Sequence, residues 1–284
     1  ITGVGLPPMG RLQVTGEVRR ATDTHESITG SVNLESEKLG QFSAEGILGK
    51  QWKIGSQLEL KFKVDRLSKA IAVLPIPLQG DVPLQAQAIV RTDGETLQVT
   101  ELRVTAGRND ISGEISYPLN VADSNRQKID GRLASEYLNL NDLFPKKEKK
   151  YLFGEELIPL TWADRYDVDL EYSAGHLLRR NYEITDATAL LTSLDGLVNI
   201  RLQGISAGGD LEVQLDLDTQ VDPHPANYAY DWKHLDLDLL PVALKGKRDI
   251  SGSLSTRGYI SGSGRSLHEI AQSGNGYLFT ELEG

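Results

Sequence analysis

Five histidines, a run of acids and one serine-rich stretch are the residues whose chemistry has to be weighed first. His25, His176, His224, His234 and His268 are scattered, and none has a metal-ligating partner at i+2 to i+4. They read as surface histidines. Asp216 and Asp218 alternate with Leu215 and Leu217, which places them on the wet face of a strand. With Asp210 or Asp222 they offer oxygen ligands for calcium, but no EF-hand-like loop organises them. The stretch "SGSGRSLHEIAQSGNGYLF" (Ser261 to Phe279) holds Ser266, His268 and Glu269. Its "GSGRS" lacks the Lys-Ser/Thr ending of a phosphate loop. Ser266 and Glu269 form S-x-x-E, a capping box in which each side chain satisfies an orphan backbone N–H. Leu267, Ile270 and Ala271 then make a small apolar helix face, and Gly274 is expected to end the helix in a left-handed conformation. No Ser-His-Asp order and no paired acids stand out, so the expectation is a non-enzymatic protein without cofactor or metal.

The elements that carry these residues are almost all strands. Leu58, Leu60, Phe62 and Val64 point one way, with polar residues between them. The same alternation holds at Val82, Leu84, Ala86, Ala88 and Val90. It recurs at Val168, Leu170 and Tyr172, at Leu211, Val213, Leu215 and Leu217, and at Leu235, Leu237 and Leu239. Each run predicts a half-buried strand with one apolar and one wet face. Asp93-Gly94 and Asp195-Gly196 lie between such runs and read as tight turns. The run Thr185 to Leu194 fits a strand or a short helix.

Composition removes several function classes. The chain has 284 residues, no cysteine, 39% hydrophobic residues and a net charge of −10. The acidic balance argues against nucleic acid, which needs clustered cations. The lack of cysteine removes disulfides and thiolate chemistry. The one basic cluster, "PKKEKK" (Pro145 to Lys150), reads as a solvated loop, with attraction to anionic head groups as its functional alternative. Trp52, Trp162 and Trp232 are isolated and read as packing residues. No run of about 18 apolar residues is present to span a bilayer as a helix.

A degenerate repeat emerges from the layout. Polar linkers followed by small-residue strands begin near Pro7, Ile76, Ile158 and Leu244. Three follow a strand that runs into a helix-compatible piece; in the first, Leu67, Ile71 and Leu74 share a helical face that Pro75 ends. The approximate units are 1–57, 58–128, 129–231 and 232–284 of one elongated β-rich fragment. The strand pattern is already running at both ends, so a segment of a longer chain is expected, with any membrane anchor outside it.

The order of two stretches resembles the AsmA family of Gram-negative envelope proteins. The first is "TELRVTAGRNDISGEISYPLNV" followed by "KIDGRLASEYLNLNDLF", and the second is "DISGSLSTRGYISGSGRSLHEIAQSGNGYLF". The inserts "FPKKEKKYLFGEEL" and "VDPHPANYAYDW" depart from the family pattern. The resemblance implies a periplasmic β-rich body on an inner-membrane anchor, similar to bridge-like lipid-transfer proteins. It implies a long, strongly curved antiparallel sheet forming an apolar groove, with a few short helices. Phospholipid acyl chains would be the cargo, moved between inner and outer membrane, and outer-membrane integrity would depend on it. The groove-facing candidates are the alternating apolar residues: Leu58, Leu60, Phe62, Val64, Leu84, Ala86, Val168, Leu170, Tyr172, Leu211, Val213, Leu215, Leu217, Leu235, Leu237 and Leu239. Two other readings stay open: a structural or chaperone-like part in outer-membrane assembly, and a glycan-acting or glycan-binding protein. The second would want clustered aromatics and paired carboxylates. Alternation alone also fits a sandwich whose apolar face is sealed.

Overall fold

The computed structural model describes residues 12–20, 27–36, 40–49, 54–70, 81–119, 126–144, 157–158, 160, 162–240 and 251–283. The chain divides into two compact units, residues 1–122 with 141–145 and residues 123–140 with 146–284.

The first unit is a run of seven strands in chain order: β1 (Leu12–Arg20), β2 (Ile28–Ser36), β3 (Gly40–Leu48), β4 (Ile54–Val64), β5 (Leu84–Asp93), β6 (Thr96–Ala106) and β7 (Asn109–Pro118). Each pairs antiparallel with the next. The one-turn helix α1 (Leu67–Ala70) follows β4. The remainder of its expected helical face, Ile71 to Pro75, lies outside the described residues. Local chemistry fixes the β5–β6 turn: the Asp93 carboxylate accepts from the backbone N–H groups of Glu95 at 2.9 Å and Thr96 at 2.7 Å. Those bonds hold its carboxyl below the usual carboxylate range. Gly94 follows with φ of +102°, where a side chain would be strained.

The second unit holds β8 (Gln127–Asn139), β9 (Tyr166–Arg179), β10 (Tyr182–Leu194), β11 (Leu197–Ser206), β12 (Gly209–Asp218), β13 (Pro225–Asp236), β14 (Ser253–Ser263) and β15 (Asn275–Glu283). The one-turn helix α2 (Leu140–Leu143), which follows β8, has its last three residues in the first unit, while the helix α3 (Leu267–Ser273) joins β14 to β15. The fifteen strands are mostly antiparallel. Among the described residues β1 and β15 each pair on one side only, and no barrel is closed.

Several expectations are corrected. The sheet is not wholly antiparallel, because β8 and β9 run parallel; the long connection between them lets the chain return in the same direction. Of the two readings left open for Thr185 to Leu194, strand or short helix, the run takes the strand throughout. The apparent insert "VDPHPANYAYDW" becomes strand from Pro225 onward. Leu235 ends the alternation predicted to run through Leu237 and Leu239. Those two residues form a 3₁₀ turn (Leu237–Leu239), because the Asp236 carboxylate accepts from the Asp238 N–H at 2.8 Å and turns the chain. Leu237 is buried, whereas Leu239 is 60% exposed.

Candidate functional site: the apolar face and its cover

In each unit the strand registers line up the alternating apolar residues into rows that run across the strands. One row of the first unit is Val14, Leu34, Phe42, Phe62, Ala86, Val104 and Ile111, each directly opposite the next. Another is Val18, Gly30, Gly46, Leu58, Val90, Val99 and Ile115, with Leu60 on β4 between the two rows. Six inter-strand gaps make such a row on the order of 29 Å long. That exceeds one acyl chain, since a bilayer core of about 30 Å holds two chains end to end. The β4 candidates Leu58, Leu60 and Phe62 are half-buried, as is Ala86 on β5. On β1, Val14 is 58% and Val18 70% exposed. This face is not sealed there.

It is sealed at one end of the strands. Val64, Leu84 and Ala106 are buried in a register row that ends at Asn109. Leu67 of α1 is buried with them, its N–H donating to the Val82 carbonyl at 2.7 Å. A helix of one turn has no stability alone, so docking Leu67 is what holds it.

The second unit repeats the arrangement with a larger cover. Its sealed row is Val168, Ser193, Val198, Leu217, Ala226 and Gly262. Leu160 and Ala163, from the connection before β9, pack with Val198, Leu217, Ala226 and Ile270 of α3 into one core cluster, with Trp162 against it. A Cβ on Gly262 would stand 2.6 Å from the Ile270 carbonyl oxygen, so only glycine lets α3 lie this close. The connection is itself tied down. The Arg126 guanidinium donates to the Asp167 carboxylate at 2.7 Å and to the carbonyls of Ala163, Asp164 and Tyr166. The Ile158 N–H donates to the Arg265 carbonyl at 2.9 Å.

Two residues further along the same strands lies a row that is only half-buried: Leu170, Leu191, Ile200, Leu215, Tyr228 and Ile260, of which Leu191, Ile200 and Leu215 pack against the edge of that cluster. The next is Leu133, Tyr172, Ala189, Leu202, Val213, Tyr230 and Gly258. All are half-buried except Gly258, over which the Tyr230 ring lies. The hydroxyl of Tyr172 donates to Ser135 at 2.9 Å, and that of Tyr230 shares a bond with Thr256 at 3.2 Å. Partial burial pushes the Tyr228 hydroxyl above its ordinary pKa.

The sixteen candidates therefore separate. Leu58, Leu60, Phe62, Ala86, Leu170, Tyr172, Leu211, Val213 and Leu215 lie on half-buried rows, whereas Val64, Leu84, Val168, Leu217, Leu235 and Leu237 are buried and Leu239 is exposed on its turn. Sequence reading missed Leu191, Ile200, Leu202, Tyr228 and Tyr230. The alternation Val198, Ile200, Leu202 was a usable signal; the β13 tyrosines were hidden in what looked like an insert.

The capping box forms in modified shape. Ser266 Oγ accepts from the Glu269 N–H at 3.1 Å, while the Glu269 carboxylate takes the Arg265 N–H at 2.7 Å rather than that of Ser266. Of the three residues expected on the apolar helix face, Ile270 is buried and Ala271 half-buried, while Leu267 is 45% exposed. Gly274 is extended, with φ of −68°, not left-handed, because β15 begins at the next residue. The acids are engaged singly. Asp216 accepts from Asn199 and Gln214, Asp218 from the Gln220 N–H, and Asp222 from Arg265. Among the described residues no group of three or more His, Asp or Glu side chains is placed to hold a metal ion. His176 bonds Glu183 at 2.7 Å and His268 bonds Gln272 at 2.9 Å. Trp232 donates to the Ser206 carbonyl at 3.0 Å, a packing role like that of Trp162. His25, Trp52 and the Lys146–Lys150 cluster lie outside the described residues. No helix among the described residues is long and apolar enough to cross a membrane.

Comparison with protein-family models, curated proteins and solved structures finds no match to this chain.

Proposed function

We propose that the half-buried rows shield the acyl chains of phospholipids and that the protein carries no bond-making chemistry. One observation supports this reading: apolar residues stand in register across seven and eight strands, yet their middle rows stay half-buried or exposed. A sandwich core would seal them. The physical need is large. A two-chain lipid with about 30 methylenes faces on the order of 25 kcal/mol if it crosses water bare, at about 0.8 kcal/mol per methylene. Aliphatic side chains dominate the rows, which suits flexible chains better than a shaped ligand. In this reading the sheet curves around the rows to form a groove. The protein is AsmA-like, periplasmic and anchored to the inner membrane, and it serves outer-membrane integrity by passing phospholipid outward.

A structural or chaperone-like role in outer-membrane assembly is the second reading. It is favoured by β15, which among the described residues pairs on one side only and exposes Leu278 and Leu282, an edge of the kind that accepts strand addition. Photo-crosslinkers at Leu60 and Leu170, with wet-face Gln87 as control, separate the two. Lipid adducts at the first two positions and none at Gln87 are expected in cells, with lipid retained in native mass spectrometry. Lipid-free protein and protein-only adducts would sink the shielding role.

A further inference from the structure

A cavity of about 630 Å³ opens on the wet face of the first unit. Its floor is strand backbone at Leu34, Phe42, Phe62 and Ala86, whose side chains belong to an apolar row of the other face. Its walls are two polar register rows, two residues apart on each strand. One runs from Gln13 through Lys63 and Gln85 to Thr105, the other from Thr15 through Lys61 and Gln87 to Arg103. The trough between them is about 7 Å wide and crosses six strands, on the order of 24 Å.

Positive charge gathers at one end. Lys61 and Lys63 on β4 and Arg103 on β6 flank Gln85 and Gln87 on β5. All three strands are paired on both sides, so this is no sheet edge. Glu59 takes the Lys61 ammonium at 2.7 Å. Among the described residues the side chains of Lys63, Arg103, Gln85 and Gln87 have no hydrogen-bond or ion-pair partner. Glu35, the one acid in the described lining, stands two strands from Lys63 and accepts from Gln41 at 3.1 Å. Asp110, opposite Thr105 on β7, lies outside the lining.

We infer that this end of the trough binds a water-soluble phosphate monoester, held as a dianion between Lys63 and Arg103. The charge count selects it. With Lys61 compensated by Glu59, two positive charges are left facing one cavity, and a phosphate monoester carries about −2 at neutral pH. A single carboxylate would leave one cation unmet. The Arg103 guanidinium offers a planar fork to two phosphate oxygens, Lys63 an ammonium, and the glutamine amides further N–H donors. A phospholipid whose chains lie on the apolar face cannot bring its head group here, because the sheet stands between. A nucleic-acid strand would need cations along the whole trough, and its other end carries Glu35.

An NMR titration of the whole chain with methyl phosphate tests this, with methyl sulfate as a monoanion of the same shape. The Gln85 and Gln87 amide and Arg103 Nε resonances should move saturably with methyl phosphate, and methyl sulfate should bind about tenfold more weakly or worse. Binding should weaken as pH falls through about 6, where the ester takes up a proton. The Lys63→Gln/Arg103→Gln double variant should lose about tenfold or more in affinity. Arg91→Gln should leave it unchanged, since Arg91, also on β5, instead donates to Gln57 at 3.1 Å. Unmoved resonances, equal binding of methyl sulfate, or an equal loss in Arg91→Gln would each overturn the proposal. So would phosphatidylglycerol–phosphatidylcholine vesicles moving these resonances where methyl phosphate does not, which would make this face a membrane contact. The resonances are read on wild type, so the test stands even if the double variant unfolds.

Discussion

The apolar face of β1 to β3 in the first unit and the sealed row of the second unit have the same sequence character and opposite fates. Val14, Val18 and Val32 are exposed, whereas Val198, Leu217 and Ala226 are nearly inaccessible. Both groups alternate with polar neighbours and both stand in cross-strand register. The difference comes from outside the strands. Leu160, Ala163 and Ile270, from two connections, cover the second group. Alternation assigns a side chain to a face; a connecting segment decides whether that face becomes core.

The sharpest way to break this comparison is to place a charge on each side of it. Leu217→Asp would put an unpaired carboxylate under the cover, and a loss above about 4 kcal/mol, enough to unfold the second unit, is expected in urea denaturation. Val18→Asp should change stability by no more than about 0.5 kcal/mol. If Val18→Asp destabilises as much, the face of β1 is core after all. The cover itself comes next. Leu160→Ala should cost about 2–4 kcal/mol, the range for truncating a buried leucine, with a smaller loss if the segment collapses onto the space.

A smaller effect is expected at Ser193, whose hydroxyl is the one buried side-chain polar atom without a hydrogen-bond partner among the described residues. It sits in the sealed row between Val168 and Val198. Ser193→Ala removes an unsatisfied group and should raise stability by about 1 kcal/mol, read as an increase in melting temperature. The smallest effect is electrostatic. Arg265, next to the cap of α3, holds the exposed Asp222 carboxyl below its usual range. A carboxyl lowered in the folded state stabilises above its unfolded pKa of about 3.9 and loses that contribution as pH falls through the folded value. The gap in melting temperature between wild type and Asp222→Asn should therefore be flat from about pH 5 to 8 and close below about pH 4. Its size should shrink with added salt, since the pair is in water.

Legibility in the sequence followed the range of the interaction. The β4 face, the β5 face from Leu84 onward, both Asp-Gly turns and the Ser266 cap rest on contacts within a few residues and are where the alternation and turn residues put them, whereas Val82, expected to open the β5 alternation, lies in a bend before the strand. The failures are non-local or compete with a local bond. Leu239 continued a period-2 pattern, but the Asp236 side chain turned the backbone first. The β8–β9 pairing is parallel because of a long connection, and no alternation within either strand encodes that. The Lys63–Arg103 site was invisible because its members come from two strands with a third between them.

The sequence by itself determined that this chain is mainly β, which residues share a face, and that thiol chemistry is absent. Those properties follow from backbone period and composition, and each is local. Tertiary structure alone decided which apolar rows are sealed and which stay half-open. It also decided that cations of two separate strands flank one wet-face cavity. Both depend on where a connecting segment or a neighbouring strand comes to rest, and that position is set by the docking of Leu67, Leu160 and Ile270 onto rows assembled from several strands.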